Sequence, residues 1–189
     1  MFKKQTDNRV AVFFADGCEE IEGLTVVDLL FRAGIPCDMV SVSDSYQVTS
    51  SHEVTFLCNK LISEVDINAY AMLVLPGGIP GTPNLAATDI LMQAVDTFAA
   101  QGKPLAAICA APSIYAERGL LSGVRATANP GFQHVLVEKG ALLSKDPVVV
   151  DGPFITSQGA GTAVAFGLEI VRYFLGDAAV LRVRDGIAL

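Results

Sequence analysis

Short apolar, β-branched runs alternate along the chain with longer segments whose apolar residues recur at helical spacing. Strands buried on both faces need near-continuous apolar runs, so this alternation predicts a mostly parallel sheet covered by helices on both sides. Val10 to Ala15, Cys37 to Val42, Ala71 to Leu75 and Pro104 to Cys109 read as successive strands of that sheet. A helix is expected from Glu19 to Ala33, closed by Gly34. A second runs from Asp89 to Gln101, with Ile90, Leu91, Ala94, Val95, Phe98 and Ala99 on one face. The fourth strand turns at once into Ala110 to Ala116, where Pro112 is tolerated near a helix start.

Between Ser43 and Tyr70 the pattern is weaker: Val54 to Cys58 reads as an edge strand and Asp66 to Tyr70 as a turn. Residues 125 to 157 predict short strands, a helical piece from Phe132 to Glu138 and a last strand from Phe154 to Ser157. A closing helix from Thr162 to Leu175 carries Val164, Leu168, Val171 and Leu175 at near-helical spacing. With no repeat, low-complexity tract or linker, a single doubly wound α/β domain over residues 1–189 is the expected architecture.

Composition narrows the chemistry. Of 189 residues, 51% are hydrophobic and 17% charged, the latter against about 25% in an average globular domain, which excludes disorder. Twenty acidic against thirteen basic residues give a net charge of -7, so the basic field that attracts nucleic acid or anionic lipid is missing. The mean hydropathy of +0.46 belongs to a core. Runs such as Ala69 to Leu75 and Leu105 to Ala111 are far shorter than the ~20 residues that span a bilayer. The N-terminal residues lack a signal-peptide pattern, so a cytoplasmic protein with reduced cysteines is expected. Cys18, Cys37, Cys58 and Cys109 form no C-x-x-C pair, and neither His52 nor His134 stands at zinc spacing from a cysteine; no metal or cofactor is expected.

In open parallel sheets ligands bind beyond the carboxyl ends of the strands. Three such segments are chemically unusual: Asp16-Gly17-Cys18-Glu19-Glu20-Ile21-Glu22, Pro76-Gly77-Gly78, and Cys109 itself. Ala107-Ile108-Cys109-Ala110-Ala111 has small residues on both sides of a nucleophile, the steric requirement of a sharp strand-to-helix elbow. A following helix predicts a thiol pKa below the ~8.5 of free cysteine. The same residue also suits a buried strand end, because cysteine packs as a small hydrophobe. Acids at Glu19, Glu20 and Glu22 suit a helix N-terminus. Should Glu22 face the Cys109 turn, its pKa rises and it can carry a proton. Pro76-Gly77-Gly78 suits a plain turn, and placed beside a nucleophile its unblocked N–H groups would form an oxyanion hole with the N–H of Ala110. Gly159-Ala160-Gly161-Thr162 lacks the third glycine of a dinucleotide fingerprint, and Gly77-Gly78 lacks the Lys-Ser/Thr of a P-loop.

Gly17-Cys18-Glu19-Glu20-Ile21-Glu22, Val74-Leu75-Pro76-Gly77-Gly78, Ala106-Ala107-Ile108-Cys109-Ala110-Ala111-Pro112 and Thr156-Ser157-Gln158-Gly159-Ala160-Gly161-Thr162 occur in one order over nearly the whole chain. In these blocks the sequence resembles the ThiJ/PfpI family, and within it the branch of the parkinsonism-associated protein deglycase and its bacterial relatives. The resemblance implies a flavodoxin-like, class I glutamine amidotransferase-like fold, usually a homodimer. It also implies a readily oxidised nucleophile at Cys109, a protonated carboxyl at Glu22 and oxyanion N–H groups at Gly78 and Ala110. Many members carry a Thr-His-Pro-like block where this chain has Thr127-Ala128-Asn129-Pro130, so Asn129 can orient a substrate by hydrogen bonding but cannot transfer a proton. The protease branch has histidine after the cysteine; Ala110 here argues against a peptidase.

The expected activity is Cys109-dependent conversion of reactive dicarbonyls or glycated adducts, with Glu22 moving protons. The rival is a redox sensor or holdase chaperone whose Cys109 is oxidised to sulfinate without turnover. An inert structural domain is a third reading.

Overall fold

In the computed structural model, which describes residues 2–189, the apolar runs at Val10–Phe14 (β1), Met72–Leu75 (β6), Leu105–Ile108 (β7) and Phe154–Ser157 (β11) are buried at every position. They form the centre of a seven-stranded sheet whose order is β10-β11-β7-β6-β1-β2-β5, with Cys37–Ser41 as β2, Lys60–Leu61 as β5 and Val148–Asp151 as β10. Every pairing in it is parallel except β10 with β11. One face carries Phe13, Leu73, Leu75, Phe98 and Tyr115; the other carries Val12, Phe14, Leu30, Phe166 and Val171. The side chains on each face alternate along the strands, as the two-residue period requires.

Helices cover both faces. Glu20–Ala33 (α1) ends at Gly34, whose φ of 78° is left-handed and whose N–H caps Leu30 and Phe31 carbonyls. Asp89–Ala100 (α3) buries Leu91, Met92, Ala94, Val95 and Phe98. Shorter helices are Gly81–Ala86 (α2), Pro112–Glu117 (α4) and Gln133–Glu138 (α5). Ala163–Gly186 (α6) runs eleven residues beyond the expected end at Leu175, interrupted at Gly176 (φ 73°, ψ -179°). Its second half buries Ala179, Val180 and Val183 against the α1 side of the core, which the sequence period up to Leu175 does not reveal.

The region from Ser43 to Tyr70 differs most from expectation. Thr55–Leu57 (β4) is a strand, but it pairs antiparallel with Gln47–Thr49 (β3) in a separate two-stranded hairpin, and β5 forms the edge of the main sheet. Ser50 Oγ accepts the N–H groups of His52 and Val54 and so closes the hairpin turn locally. Arg125–Ala126 (β8) and Leu142–Leu143 (β9) form a second small parallel pair. Among the described residues, no helix is long and apolar enough to cross a membrane.

Candidate active site

β1, β6, β7 and β11 are neighbours in the sheet, so the loops that follow them meet at one edge. Cys109 follows β7 directly and has φ 65°, a left-handed conformation that costs a non-glycine residue about 1–3 kcal/mol. Neighbouring strands and loops hold it there. The Cys109 N–H donates to Ser157 O (3.0 Å), the Asn129 N–H donates to Cys109 O (2.8 Å), and the Ala111 N–H closes the turn onto Ile108 O (3.1 Å). The strained turn leaves the sulfur half-buried at the sheet edge while Ala107, Ala110 and Ala111 around it are buried.

Glu22 comes from the first turn of α1 and is 1% exposed. The glycine-rich loops explain how it arrives there. A side chain at Gly78 would lie 2.3 Å from Glu19 N, and one at Gly81 2.6 Å from Cys18 Cα, so the loops after β1 and β6 interlock backbone to backbone. The Glu19 N–H donates to Gly77 O (2.9 Å), and the Gly77 N–H donates back to Glu22 Oε2 (2.8 Å). The other oxygen, Oε1, is buried without a hydrogen-bond partner, and the Cys109 thiol beside it acts on its proton affinity. Burial pushes the Glu22 carboxyl up to about 7; the Gly77 N–H and Cys109 offset this in part, and Glu19 adds to it.

The sulfur departs from expectation. A thiol pKa below that of free cysteine is the sequence expectation, but Cys109 is pushed up to about 12 by burial first and by the adjacent Glu22 carboxyl next. The N–H groups of Ala110 and Gly78 act on the sulfur in the opposite direction and are outweighed. The helix offers little help, because α4 has only six residues and starts at Pro112. Cys109 and Glu22 therefore compete for one negative charge: a thiolate is accessible when Glu22 keeps its proton and is opposed when Glu22 is ionised.

Asn129 is half-buried, with Oδ1 accepting the Gly131 N–H (3.0 Å). Its Nδ2, Glu22 Oε1 and Cys109 Sγ converge beside Gly159, where a Cβ would stand 3.5, 3.7 and 3.9 Å from them. The structure thus brings Cys109, Glu22, Gly78, Ala110 and Asn129 to one place. Sequence reasoning missed the role of Gly77 as N–H donor to Glu22 and the place of Gly159 beside Asn129, Glu22 and Cys109. The four-block pattern contains both residues, but only tertiary contact reveals what each does.

No imidazole completes a dyad among the described residues. His134 is exposed on α5, and His52 is held by Glu20 (3.1 Å) and Glu19 (3.6 Å), which raise its pKa. Glu19, Glu20 and His52 have ligand atoms within 4.8 Å of one another, a spacing that could hold a metal, and in this arrangement His52 is shared between the two carboxylates. A cavity of about 580 Å³ lies elsewhere, between Lys3, Phe31, Arg32, Arg182 and Val183, and Cys109 does not line it.

The profile of the DJ-1/PfpI family matches residues 8–173. The chain belongs to the DJ-1/PfpI family. Among curated family members, it is 36% identical to Protein DJ-1 homolog B of Arabidopsis thaliana over 89% of this chain, and spans only 38% of that relative's length. It is 31% identical to the glutathione-independent glyoxalase DJ-1 of Schizosaccharomyces pombe, covering 86% of this chain and 89% of the relative. The solved structure of oxidised DJ-1 from Toxoplasma gondii superposes with a TM-score of 0.90 at 31% identity, covering 96% of this chain and 98% of that one. The DJ-1/PfpI assignment confirms the doubly wound α/β architecture read from the alternating strands and helices, and with it the flavodoxin-like fold that the resemblance implies.

Proposed function

We propose that the chain is a Cys109-dependent enzyme acting on reactive 2-oxoaldehydes or on the early adducts they form with proteins. One observation carries this reading: an accessible sulfur, a buried carboxyl that titrates near neutral pH and two backbone N–H groups meet at one strand edge. A carbonyl placed there meets a nucleophile, a proton carrier and anion donors together. The similarity to a glutathione-independent glyoxalase supports the same chemistry.

In the proposed sequence Sγ bonds to the aldehyde carbon and the carbonyl electron pair moves to oxygen. That oxygen is held by the Gly78 and Ala110 N–H groups and takes up the proton that Glu22 carries, giving a hemithioacetal. Glu22, now ionised, removes the hydrogen on that carbon and returns it to the neighbouring carbonyl carbon, while the hydroxyl proton of the hemithioacetal passes to the ketone oxygen, which Asn129 Nδ2 orients, and the first oxygen becomes a carbonyl. The product is a thioester of a 2-hydroxy acid. Water cleaves it, releasing the acid and restoring the thiol. The sequence balances with one water and needs no cofactor or metal. The reading extends to a homodimer working in the cytoplasm on small dicarbonyls or glycated proteins, with no nucleic-acid or membrane partner, in keeping with the acidic net charge of -7.

Methylglyoxal consumption and lactate release test it. The native protein is expected to form one lactate per methylglyoxal, Cys109→Ser none, and Glu22→Gln about 10²- to 10⁴-fold less than native, the range for loss of a positioned acid–base group. Undiminished turnover in Cys109→Ser sinks the reading.

A second reading is favoured by the similarity to an oxidised structure. In it Cys109 consumes two peroxide molecules, yielding a sulfinate and two waters, and the protein acts as a redox sensor or holdase. Stoichiometric oxidation at Cys109 by mass spectrometry, with no dicarbonyl turnover, would select it.

A further inference from the structure

The cavity of about 580 Å³ beside α1 stands apart from the Cys109 site. α1 begins at the Cys109 edge with Glu22, whereas Phe31, Arg32 and Ala33 line the cavity from the last turn of that helix, ~14 Å further along its axis. The volume is within the roughly 300–1,000 Å³ of small-molecule sites. Lys3, Arg32 and Arg182 line it from three separate segments and no acidic side chain does, in a chain whose net charge is -7. A recess walled by one sign of charge concentrates ions of the other.

Its floor is apolar and built of small residues. Ala33, Ala179 and Val183 are buried there, Phe31 forms a half-exposed wall, and Phe2 packs against the Phe31 ring with centroids 5.3 Å apart. The segment that carries Lys3 is fixed backbone to backbone. The Gln5 N–H donates to Gly34 O (2.8 Å), and a side chain at Gly34 would lie 2.2 Å from Lys3 O. The three cations differ in what already holds them. Arg32 is engaged by Asp28 (2.6 Å) and donates to Gly186 O (3.3 Å). Arg182 Nη1 donates to Ala178 O (3.1 Å), which steadies the side chain and leaves its other N–H groups for a ligand. Among the described residues, neither Lys3 nor Arg182 has a carboxylate at ion-pair distance.

We infer that this cavity is a second binding site, for an organic anion with a flat apolar body. The body lies on Ala33, Ala179 and Val183 beside Phe31, and Lys3 and Arg182 hold the acidic head. A guanidinium fork and an ammonium together suit a head with two or more oxygens: a carboxylate, sulfonate or phosphate ester. The site shares no residue with the Cys109 edge, so it is independent of the chemistry proposed there.

Two dyes with one ring skeleton separate charge from apolar contact: 8-anilinonaphthalene-1-sulfonate and its uncharged parent, N-phenyl-1-naphthylamine. Each is titrated by fluorescence, and the quantity read is the ratio of their two affinities. Joint replacement Lys3→Gln and Arg182→Gln is expected to cut the preference for the sulfonate at least about tenfold, equivalent to ~1.4 kcal/mol, while the neutral dye binds as before. Both side chains are exposed, so the fold is kept. Phe31→Ala should weaken both dyes alike. Lys60→Gln, which removes an exposed cation elsewhere, and Cys109→Ser should bind both as the native protein does. An unchanged ratio in the double variant, unaltered binding in Phe31→Ala, or no binding of the sulfonate to the native protein overturns the inference. Loss of sulfonate binding in Cys109→Ser would place the dye at the strand edge and overturn it likewise. Absence of methylglyoxal turnover would refute the proposed function and leave this site intact.

Discussion

Cys18 and Cys109 each follow a central strand of the same sheet, β1 and β7, and burial is the first cause that pushes each thiol up to about 12. Around them little else is alike. Cys18 is 0% exposed among Val12, Phe14 and Val26, and its N–H closes an ordinary turn onto Ala15 O (3.1 Å). Cys109 adopts φ 65°, is half-buried, and has the Glu22 carboxyl and the N–H groups of Gly78 and Ala110 around it. The difference teaches that position past a strand end does not make a nucleophile. Backbone strain that turns the sulfur outward, and a proton carrier that can hold the compensating proton, do.

The largest effect expected from this contrast is in labelling. Iodoacetamide followed by peptide mass spectrometry should modify Cys109 roughly a thousandfold faster than Cys18, since a core thiol reacts only through opening events that cost several kcal/mol. In denaturant the two rates should converge. Comparable rates in the folded protein would erase the distinction.

A smaller effect follows from Glu22. Its folded-state pKa, about 7, lies above the ordinary 4.5, so between these values the native state binds the extra proton. Stability therefore falls as pH rises through that window, by up to about 3 kcal/mol, and is unaffected below it, where folded and unfolded chains are both protonated. Glu22→Gln has no carboxylate to bury. Denaturant unfolding at pH 4.5 and pH 7.5 should show the variant gaining on the native protein with rising pH; parallel curves would mean that Glu22 is ionised without penalty.

Much of this was legible in the sequence because its physical cause is local. Parallel strands buried on both faces must be apolar throughout, which Met72–Leu75 and Leu105–Ile108 announce. Small residues around Cys109 announce an elbow, and glycines past β6 announce close backbone approach. What escaped depends on packing across the chain. The hairpin of β3 and β4 is set by a pairing choice that either neighbour could satisfy, and the second half of α6 by its fit against the core beside α1. The thiol shift was read with the wrong sign because a helix start is visible in sequence, whereas burial and the approach of Glu22 are not. Gly77 and Gly159 look alike as letters but differ in setting, since a Cβ at Gly77 would clash with Cys109 and Glu22 whereas one at Gly159 would make ordinary contacts.

The central claim is that Cys109 and Glu22 share one negative charge, and thiolate absorbance followed against pH in the native protein and in Glu22→Gln tests it most directly. The account predicts that native thiolate appears in two steps, a partial one near neutral pH and the remainder only under strongly alkaline conditions, whereas Glu22→Gln titrates in a single step. Superimposable single-step curves for the two proteins would contradict it.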